Sequence, residues 1–291
     1  MAKVLVTGAN GLLGYEVARQ LTEAGDEAIC IGRTRPDIRN AGVDFIEADL
    51  NLPLPVSKLP SRIDAVAHLA QSERFNEFPE GVEAVFAVNV ATPAALLDWA
   101  LRAGASAFVH ASSGGVYGGG PNPFVETDPL SIGGKIAFYL STKRAAEQLA
   151  EAYQPLFAVS ALRFFFIYGA RQRATMLMPR LVASVRDGRA LTLQGDRGMA
   201  LNPIHTTDAA KAVIGAIRNK ARGIYNVGGA EVTRIRDIGE ILGQHVGKAP
   251  LFETQKGTVP NDLVGDIERM ISDLHRPTIS LIDGLREMVA N

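Results

Sequence analysis

The sequence has few cysteines and no excess of either charge, and both facts narrow the range of functions. Cys30 is the only cysteine among the 291 residues, which rules out an intramolecular disulfide and disfavours a cysteine-based zinc site. The 30 basic residues are matched by 31 acidic ones, so no overall field attracts nucleic acid or an anionic membrane. We therefore predict no metal site, no nucleic-acid partner and no membrane partner.

Long apolar runs are also scarce. The first residues, MAKVLVTG, contain too short an apolar run for a signal peptide, and we identify no segment that is long and apolar enough to span a bilayer. These features predict a cytoplasmic protein.

With 47% hydrophobic and 21% charged residues, the composition is that of an ordinary soluble protein. The length allows one large domain or a domain with a smaller lobe.

Short apolar runs alternate with helical segments in the first 168 residues. The apolar runs predict strands at residues 3–8, 27–32, 43–50, 64–70, 107–113 and 158–166. Spacing typical of helices is found at residues 11–25, 89–104 and 136–153. Strands that alternate with helices predict an α/β fold with a doubly wound parallel sheet, covered on both faces.

The alternation becomes irregular after residue 168. Further helices are predicted at residues 175–188, 207–221, 235–247 and 280–291, with a short strand and turn at 223–229. We predict that residues 1–168 plus 203–229 form the sheet domain. Residues 169–202 plus 230–291 are predicted to form a smaller lobe over the carboxyl ends of the strands.

A glycine-rich turn lies between the first strand and the first helix. The stretch TGANGLLG supplies Gly8, Gly11 and Gly14, with Asn10 and Leu12 between them. Glycine lets the backbone approach a pyrophosphate, and a helix N-terminus offers free N–H groups and a favourable dipole. The position of the turn therefore predicts a dinucleotide site, and the alternative is a tight turn without a ligand.

Tyr139 and Lys143 lie four residues apart in a predicted helix, so their side chains share one face. A nearby ammonium favours the phenolate and should lower the pKa of Tyr139 from its usual value of about 10. Tyr139 could then exchange a proton with a substrate hydroxyl or carbonyl while a hydride moves to or from a nicotinamide. The alternative is a surface pair without function.

Several further motifs follow in a characteristic order: HLAQS from His68, NVATPAALLDWA from Asn89, SSGGVYG from Ser112, LRFFFIYGAR from Leu162 and IYNVGG from Ile224. In these motifs and the glycine turn, the sequence resembles the extended short-chain dehydrogenase/reductase family, also called the NAD-dependent epimerase/dehydratase family, over almost its whole length. The resemblance implies a Rossmann-like dinucleotide-binding domain and a substrate-binding lobe. It also implies a catalytic set of Ser113, Tyr139 and Lys143. Gln71 stands where the family more usually has a small residue.

The resemblance implies additional contacts to the cofactor. Beyond the glycine turn, these contacts fall at Asp49, Leu50, Leu69 and Ala70. Lys143 would reach the nicotinamide ribose, and Asn89 would have a structural and proton-relay role near it. The alternative for Asn89 is a helix N-cap.

The end of the second strand departs from the family pattern in a way that concerns cofactor choice. Gly32 replaces the usual acidic residue, and Arg33 and Arg35 follow it. A guanidinium can hold a 2′-phosphate in a bidentate geometry. The predicted cofactor is therefore NADP or NAD, with NADP favoured.

Other departures concern the reaction and the substrate. Gly114 and Gly115 stand where dehydratases of the family carry an Asp-Glu pair, which disfavours dehydration. Phe166 replaces an Asn that contacts the diphosphate of nucleotide sugars, and Leu201 and Asn202 replace an Arg and an Asp. The candidate substrate residues are Phe166, Arg171 and Arg180. His205 and Asp208 are predicted to anchor a loop and cap the following helix.

We therefore predict an NAD(P)-dependent oxidoreductase or epimerase that transfers a hydride at a sugar carbon, with a nucleotide-linked sugar as the small-molecule substrate. The first alternative is an NADPH-dependent reductase of a small ketone or aldehyde. The second is a non-catalytic binding protein that senses NADP. Family members commonly pair two helices across a two-fold axis, so the helices that begin near Asn89 and Ile136 predict a homodimer. The apolar stripe AALLDWAL could instead face the sheet.

Overall fold

A computed structural model describes residues 1–255 and 257–290 of the chain. Within these residues the strands are, in chain order, β1 (Lys3–Thr7), β2 (Glu27–Gly32), β3 (Val43–Glu47), β4 (Ala65–His68), β5 (Ala107–Ser113), β6 (Ala158–Phe164), β7 (Ile167–Tyr168), β8 (Leu191–Gln194), β9 (Ala200–Leu201), β10 (Ile204–His205), β11 (Gly223–Val227), β12 (Thr233–Arg234) and β13 (Phe252–Gln255). The helices are α1 (Leu12–Glu23), α2 (Val82–Phe86), α3 (Thr92–Arg102), α4 (Ala137–Tyr153), α5 (Leu177–Asp187), α6 (Thr206–Arg218), α7 (Ile235–Val246), α8 (Glu268–Asp273) and α9 (Leu281–Ala290).

Seven strands form one sheet in the order β11-β6-β5-β4-β1-β2-β3. Every neighbouring pair in this sheet is parallel. The order reverses at β1, from which the chain builds outward first through β2 and β3 and then through β4, β5, β6 and β11. This doubly wound topology confirms the predicted fold class. Ligands of such sheets bind at the carboxyl ends of the strands, beside the point of reversal.

Two apolar layers cover the faces of the sheet. Val4 and Val6 of β1 pack into a cluster shared with α1 and α6, whereas Leu5 packs into a cluster shared with α3 and α4. Successive side chains of a strand point to opposite faces, so a strand buried on both faces is apolar throughout. This is why the apolar runs predicted the central strands correctly.

The stripe AALLDWAL of α3 belongs to the second of these layers. Leu96, Leu97 and Ala100 are fully buried, in the same cluster as Val66 and Phe108 of the sheet. Of the two alternatives, the stripe therefore faces the sheet of its own chain. It cannot serve as the dimer contact that we considered, so the homodimer stays a prediction.

Residues 82–102 form one continuous helical stretch, in which Ala87–Ala91 form a π-helical turn between α2 and α3. Asn89 lies inside this turn, so the alternative that it is a helix N-cap is wrong. The helix starts seven residues earlier because the preceding VEAVFAV has residues that favour a helix and an apolar position, Val85, that is buried.

The same stretch corrects the prediction that no segment is long and apolar enough to span a bilayer. Among the described residues, Val82–Arg102 is long and apolar enough, by length and composition alone, to cross a membrane. However, 56% of its most apolar part is buried inside the fold, as in the core helix of a soluble protein.

The C-terminal part of the chain has its own apolar cluster. Side chains of α5, α7 and α9 pack there with residues of β8 and β9. The short strands pair as β7 with β10, β8 with β13 and β9 with β12. These strands of two to four residues are too short for their sequence pattern to be recognised. The domain boundaries at residues 168, 203 and 229 stay a prediction.

His205 and Asp208 anchor the start of α6, as predicted. His205 is the N-cap, and its Nδ1 accepts a hydrogen bond from the N–H of Thr207 at 3.4 Å. The carboxylate of Asp208 accepts hydrogen bonds from His275 and from the N–H groups of Thr278 and Ile279. These contacts tie α6 to the segment before α9.

Candidate active site

The glycine turn closes tightly against the loop after β4. Gly8 has φ of 75°, and a Cβ there would lie 2.8 Å from the backbone nitrogen of Ala70. A Cβ on Gly14 would lie 2.2 Å from the carbonyl oxygen of Gly8. Helix α1 begins at Leu12, directly after its N-cap Gly11, so its first N–H groups lack intrahelical partners. The turn fits a pyrophosphate, because these N–H groups and the helix dipole favour an anion.

Thr7 holds the loop after β4 in this position. Its Oγ1 accepts hydrogen bonds from the N–H groups of Leu69 and Ala70, each 3.0 Å away, and lies 2.9 Å from Nδ1 of His68. Since the hydroxyl already accepts two hydrogen bonds, its proton is donated to Nδ1, and the neutral His68 ring carries its own proton on Nε2. Burial lowers the pKa of His68 to about 3, so the ring remains neutral. Leu69 and Ala70 thus lie against the glycine turn. Their contact with the cofactor stays a prediction.

The other predicted cofactor residues lie along the same edge of the sheet. Asn10 donates from Nδ2 to the carbonyl oxygen of Thr34 at 2.6 Å, which ties the glycine turn to the end of β2. Asp49 accepts hydrogen bonds from the N–H and side chain of Asn51, which lower the pKa of its carboxyl. Leu50 is buried beside it.

The two arginines after β2 have different surroundings. Arg33 is exposed, and its guanidinium lies 3.5 Å from Oε1 of Glu73 in the loop after β4. Arg35 instead donates to the carbonyl oxygen of Val43 at 2.8 Å. Only Arg33 is therefore placed to meet a 2′-phosphate, and a carboxylate already lies next to it.

At the reacting end, Ser113 and Tyr139 lie together. Ser113 is the last residue of β5, and Tyr139 lies in the first turn of α4, 8% exposed. The phenolic O–H of Tyr139 donates to Oε1 of Gln71 at 3.0 Å. Burial raises the pKa of Tyr139 to about 12, and the Ser113 hydroxyl acts in the opposite direction.

Lys143 lies one turn further along α4 and is 2% exposed. Its Nζ donates to the carbonyl oxygen of Ala111 at 2.8 Å and is 5.8 Å from the centre of the Tyr139 ring. Burial lowers the pKa of Lys143 to about 8. The prediction that Lys143 makes Tyr139 acidic is therefore wrong for the protein alone, because burial of the phenol raises its pKa.

Asn89 connects these elements. Its Nδ2 donates to Oγ1 of Thr142 at 3.0 Å, and Thr142 donates in turn to the carbonyl oxygen of Tyr139 at 2.7 Å. Its Oδ1 accepts from the N–H of Ser72 at 3.4 Å. Asn89 thus fixes the loop after β4 to α4, between Tyr139 and Lys143. The proton-relay role stays a prediction.

A buried polar network lies behind the site. Ser112, the neighbour of Ser113 on β5, donates to Glu147 at 2.6 Å. Glu147 pairs with Arg163 at 2.8 Å, and Arg163 donates to the hydroxyl of Tyr117. Sequence reasoning missed this pair. Its signal was an arginine in an apolar strand and a glutamate one turn beyond Lys143.

The three consecutive phenylalanines divide between core and site. Phe164 and Phe165 are buried, and Phe166 is partly exposed with φ of 50°, in the left-handed region that a phenylalanine rarely adopts. The ring of Phe165 fills the space beside Gly114, where a Cβ would lie 2.8 Å from it.

The two arginines proposed to bind substrate have different surroundings. Arg171 stacks on the ring of Tyr15 in α1, 3.8 Å from its centre, and so lies against the nucleotide-side helix. Arg180 lies on α5 and faces an open cavity of about 510 Å³. The cavity is also lined by Ala174, Thr175, Ala183, Ser184 and Arg189.

Gln71 was noted in the sequence only as a departure from the family, without a role. Its contact with Tyr139 spans 68 positions, so no local pattern could have revealed it. Within residues 1–255 and 257–290, no group of three or more histidine, cysteine, aspartate or glutamate side chains is placed to hold a metal ion.

Known proteins resemble this chain over almost its whole length. A sequence model of the NAD dependent epimerase/dehydratase family matches residues 4–228. A Bacillus subtilis protein named uncharacterized UDP-glucose epimerase YtcB is 28% identical over 99% of this chain and 97% of its own length. The dTDP-glucose 4,6-dehydratase of Streptomyces griseus is 27% identical over 99% and 93% of the two chains.

A solved structure is also similar to this chain over almost its whole length. The UDP-glucuronic acid 4-epimerase from Bacillus cereus, in complex with UDP-glucuronic acid and NAD, matches with a TM-score of 0.86 and 26% identity, covering 99% of this chain and 98% of the other. This relative carries NAD, so it lends no support to the predicted preference for NADP.

Proposed function

The chain belongs to the NAD-dependent epimerase/dehydratase family of short-chain dehydrogenase-type enzymes, and we propose that it is an NAD-dependent epimerase of a nucleotide-linked sugar. The observation that carries the proposal is the meeting of Ser113 and Tyr139, with Lys143 one turn away, at the end of the sheet where the glycine turn lies. Relatives whose names specify epimerases of UDP-glucose and UDP-glucuronic acid support the substrate class.

The residues present suit this chemistry. The glycine turn and the first turn of α1 would hold the pyrophosphate, and Lys143 would reach the nicotinamide ribose. When bound, NAD would supply a hydride acceptor and donor for the sugar carbon that bears the reacting hydroxyl. In its phenolate form, Tyr139 would remove the hydroxyl proton and later return it to the carbonyl oxygen, which Ser113 would hold by a hydrogen bond. The ammonium of Lys143 favours the phenolate and so opposes the effect of burial.

The surroundings of Gly114 and Gly115 support epimerisation over dehydration. A Cβ at Gly114 would lie 2.8 Å from the ring of Phe165, and one at Gly115 would lie 2.9 Å from Cδ2 of Leu140. The carboxylates that dehydratases carry at these two positions would therefore require both side chains to move. Neither glycine can transfer a proton to or from the substrate.

We propose NAD rather than NADP as the cofactor. Arg35 is engaged by the Val43 carbonyl, and Arg33 has the Glu73 carboxylate beside it, which would repel a 2′-phosphate. The solved relative carries NAD. For the substrate, the cavity beside Arg180 offers a guanidinium to a phosphate.

A second candidate is an NADPH-dependent reductase of a small ketone or aldehyde. It is favoured by Phe166, an aromatic side chain in a strained backbone conformation where nucleotide-sugar enzymes have an amide. Leu201 is fully buried and offers no charge where those enzymes carry an arginine. Both features suit an apolar substrate better than a diphosphate.

The test is turnover by the whole protein with UDP-glucose or UDP-glucuronic acid, followed by NMR of the sugar. We expect interconversion of the 4-epimers without net change in NADH, and at least about a 100-fold loss in Tyr139→Phe. Bound NAD, measured by mass spectrometry of the released ligand, should be retained in that variant. Consumption of added NADPH with a panel of small carbonyl compounds would favour the second candidate. Cofactor binding without turnover of either class would favour the sensor.

We also propose a homodimer, supported by apolar side chains left exposed on α2 and α4. Phe86 is 52% exposed and Leu149 is 36% exposed. Phe86→Glu should convert the protein from dimer to monomer in sedimentation velocity. A wild-type monomer would contradict the proposal.

A further inference from the structure

The hydroxyl of Tyr139 already has a partner from the protein itself. It donates its proton to Oε1 of Gln71 at 3.0 Å, across the crevice between α4 and the loop after β4. A phenol has a single proton and can donate it to one acceptor at a time. A substrate oxygen that is to receive this proton must therefore take the place of the Gln71 amide.

We propose that Gln71 is a positioning residue, which accepts the hydrogen bond of the neutral Tyr139 phenol in the resting protein. When the reacting oxygen of the substrate takes the place of the Gln71 amide, the phenol loses its proton to solvent and can act as the base. The proposal rests on the proposed function, since it assumes that Tyr139 exchanges a proton with the substrate. It assigns a role to the residue at which this chain departs from the small side chain usual in its family.

The loop is built so that the side chain of Gln71 can move while its backbone stays in place. On one side, the N–H groups of Leu69 and Ala70 are held by Thr7. On the other side, the N–H of Ser72 is held by Asn89. The Gln71 side chain itself is exposed, and the bond to Tyr139 is the one hydrogen bond that its amide makes within the described residues.

The contact acts on the protonation state of Tyr139. A carbonyl oxygen accepts a hydrogen bond from the neutral phenol but cannot do so from the phenolate, so Gln71 favours the neutral form. On the other sides of the phenol are the Ser113 hydroxyl and the ring of Phe75, 5.4 Å from the Tyr139 ring. Gln71 therefore adds to the effect of burial, and both oppose Lys143.

The titratable groups near Tyr139 are engaged elsewhere or neutral, so Gln71 is the contact of the phenol that can change when a substrate binds. Lys143 is committed to the Ala111 carbonyl, and the rings of His68 and His110, which stack 5.5 Å apart, are buried and neutral. Glu73, two positions along the loop from Gln71, pairs with Arg173 at 2.5 Å. Its carboxylate is thus engaged by arginine side chains.

The test is direct titration of Tyr139 in the full chain with NAD added, by NMR of tyrosines labelled with ¹³C at Cζ. The Tyr139 signal is assigned by its loss in Tyr139→Phe. Removal of the acceptor in Gln71→Ala should lower the pKa of Tyr139 by about 0.5–1 unit, the equivalent of one neutral hydrogen bond. Gln71→Glu, which places a carboxylate at the same distance, should raise it.

Glu73→Gln is the matched control, because it changes the same loop without touching Tyr139, and it should leave this titration unchanged. The proposal is overturned if the Tyr139 pKa in Gln71→Ala equals or exceeds that of the wild type. It is also overturned if Tyr139 shows no titration up to pH 12 in either protein. A higher pKa would mean that the amide is turned the other way, with its N–H₂ donating to the phenolate.

A second titration, with UDP-glucuronic acid added, tests whether the substrate displaces the Gln71 amide from the Tyr139 hydroxyl. If the substrate replaces Gln71, the difference between wild type and Gln71→Ala should vanish on saturation, and a difference that persists contradicts displacement. The first titration needs no turnover, so it separates the two proposals. A pKa shift without epimerase activity would count against the proposed function alone, and activity without a shift would count against the role of Gln71 alone.

Discussion

Replacement of Arg163 by methionine should reveal how strongly the buried ion pair behind the site stabilises the fold. Arg163 and Glu147 are 2% and 1% exposed and are joined by two hydrogen bonds, of 2.8 and 2.9 Å. Methionine fills a similar volume but leaves the Glu147 carboxylate without its partner. It also removes the donor to Tyr117, 2.7 Å away.

The expected cost is large because the remaining charge is buried. Loss of one partner of a buried pair destabilises a protein by about 3–5 kcal/mol. At about 2.1 cal/mol/K per residue, the unfolding entropy of 291 residues is roughly 0.6 kcal/mol/K, so Tm should fall by about 5–8 °C. Arg144→Met is the matched control. Arg144 contacts the same carboxylate at 3.1 Å but is 30% exposed, and its loss should cost about 1 kcal/mol or less.

The cost should also depend on pH. Burial acts to raise the pKa of Glu147, but hydrogen bonds and charge from Arg163, Ser112 and Arg144 outweigh it, and the net pKa is lowered. A carboxyl with a lowered pKa stabilises the folded state above its unfolded pKa, about 4.3, and this contribution is lost as the pH falls through the folded pKa. The penalty in Arg163→Met should therefore shrink between pH 7 and pH 4.

Urea unfolding of wild type, Arg163→Met and Arg144→Met at pH 7 and pH 4 measures these free energies. Equal losses in the free energy of unfolding for Arg163→Met and Arg144→Met at pH 7 would refute the claim that the buried pair is the stronger one. A penalty in Arg163→Met that stays constant as the pH falls would show that it comes from packing rather than from the uncompensated carboxylate.

Three further results are expected. Because burial lowers the pKa of Lys143 to about 8, the ammonium is lost as the pH rises through that value, and kcat/KM in a rate–pH profile should fall above it. Gly14→Ala places a Cβ 2.2 Å from the carbonyl oxygen of Gly8 and should abolish NAD binding in calorimetry, whereas Gly133→Ala, which meets nothing within 4 Å, should bind normally. Arg33→Ala should weaken NADP binding in a fluorescence titration and leave NAD affinity nearly unchanged; equal losses for both would contradict the role of Arg33.

Much of the fold could be predicted from the sequence, because its signals are local. The central strands are buried on both faces and therefore appear as short apolar runs, and their alternation with helices predicts a parallel sheet. The approach of Ser113 to Tyr139 could also be anticipated. Ser113 ends a strand, Tyr139 opens the next helix, and the carboxyl ends of parallel strands share one edge of the sheet.

Other features of the site depend on contacts between distant parts of the chain. Gln71 reaches Tyr139 from a loop 68 positions earlier, and the space beside Gly114 is filled by Phe165 from the next strand. Arg171, a candidate substrate residue, stacks on Tyr15 of α1, more than 150 positions away. No pattern within a window of the sequence carries such information.

The candidate catalytic residues and the alternation of strands with helices could be recognised in the sequence alone, since residue type and periodicity are properties of neighbouring positions. The protonation state of Tyr139 could not be predicted from the sequence. The spacing of Tyr139 and Lys143 suggested an acidic phenol, whereas burial raises its pKa to about 12. The free energy of a charge depends on how much water and which dipoles surround it, and only the packing of α4 against the sheet and the loop after β4 establishes those surroundings.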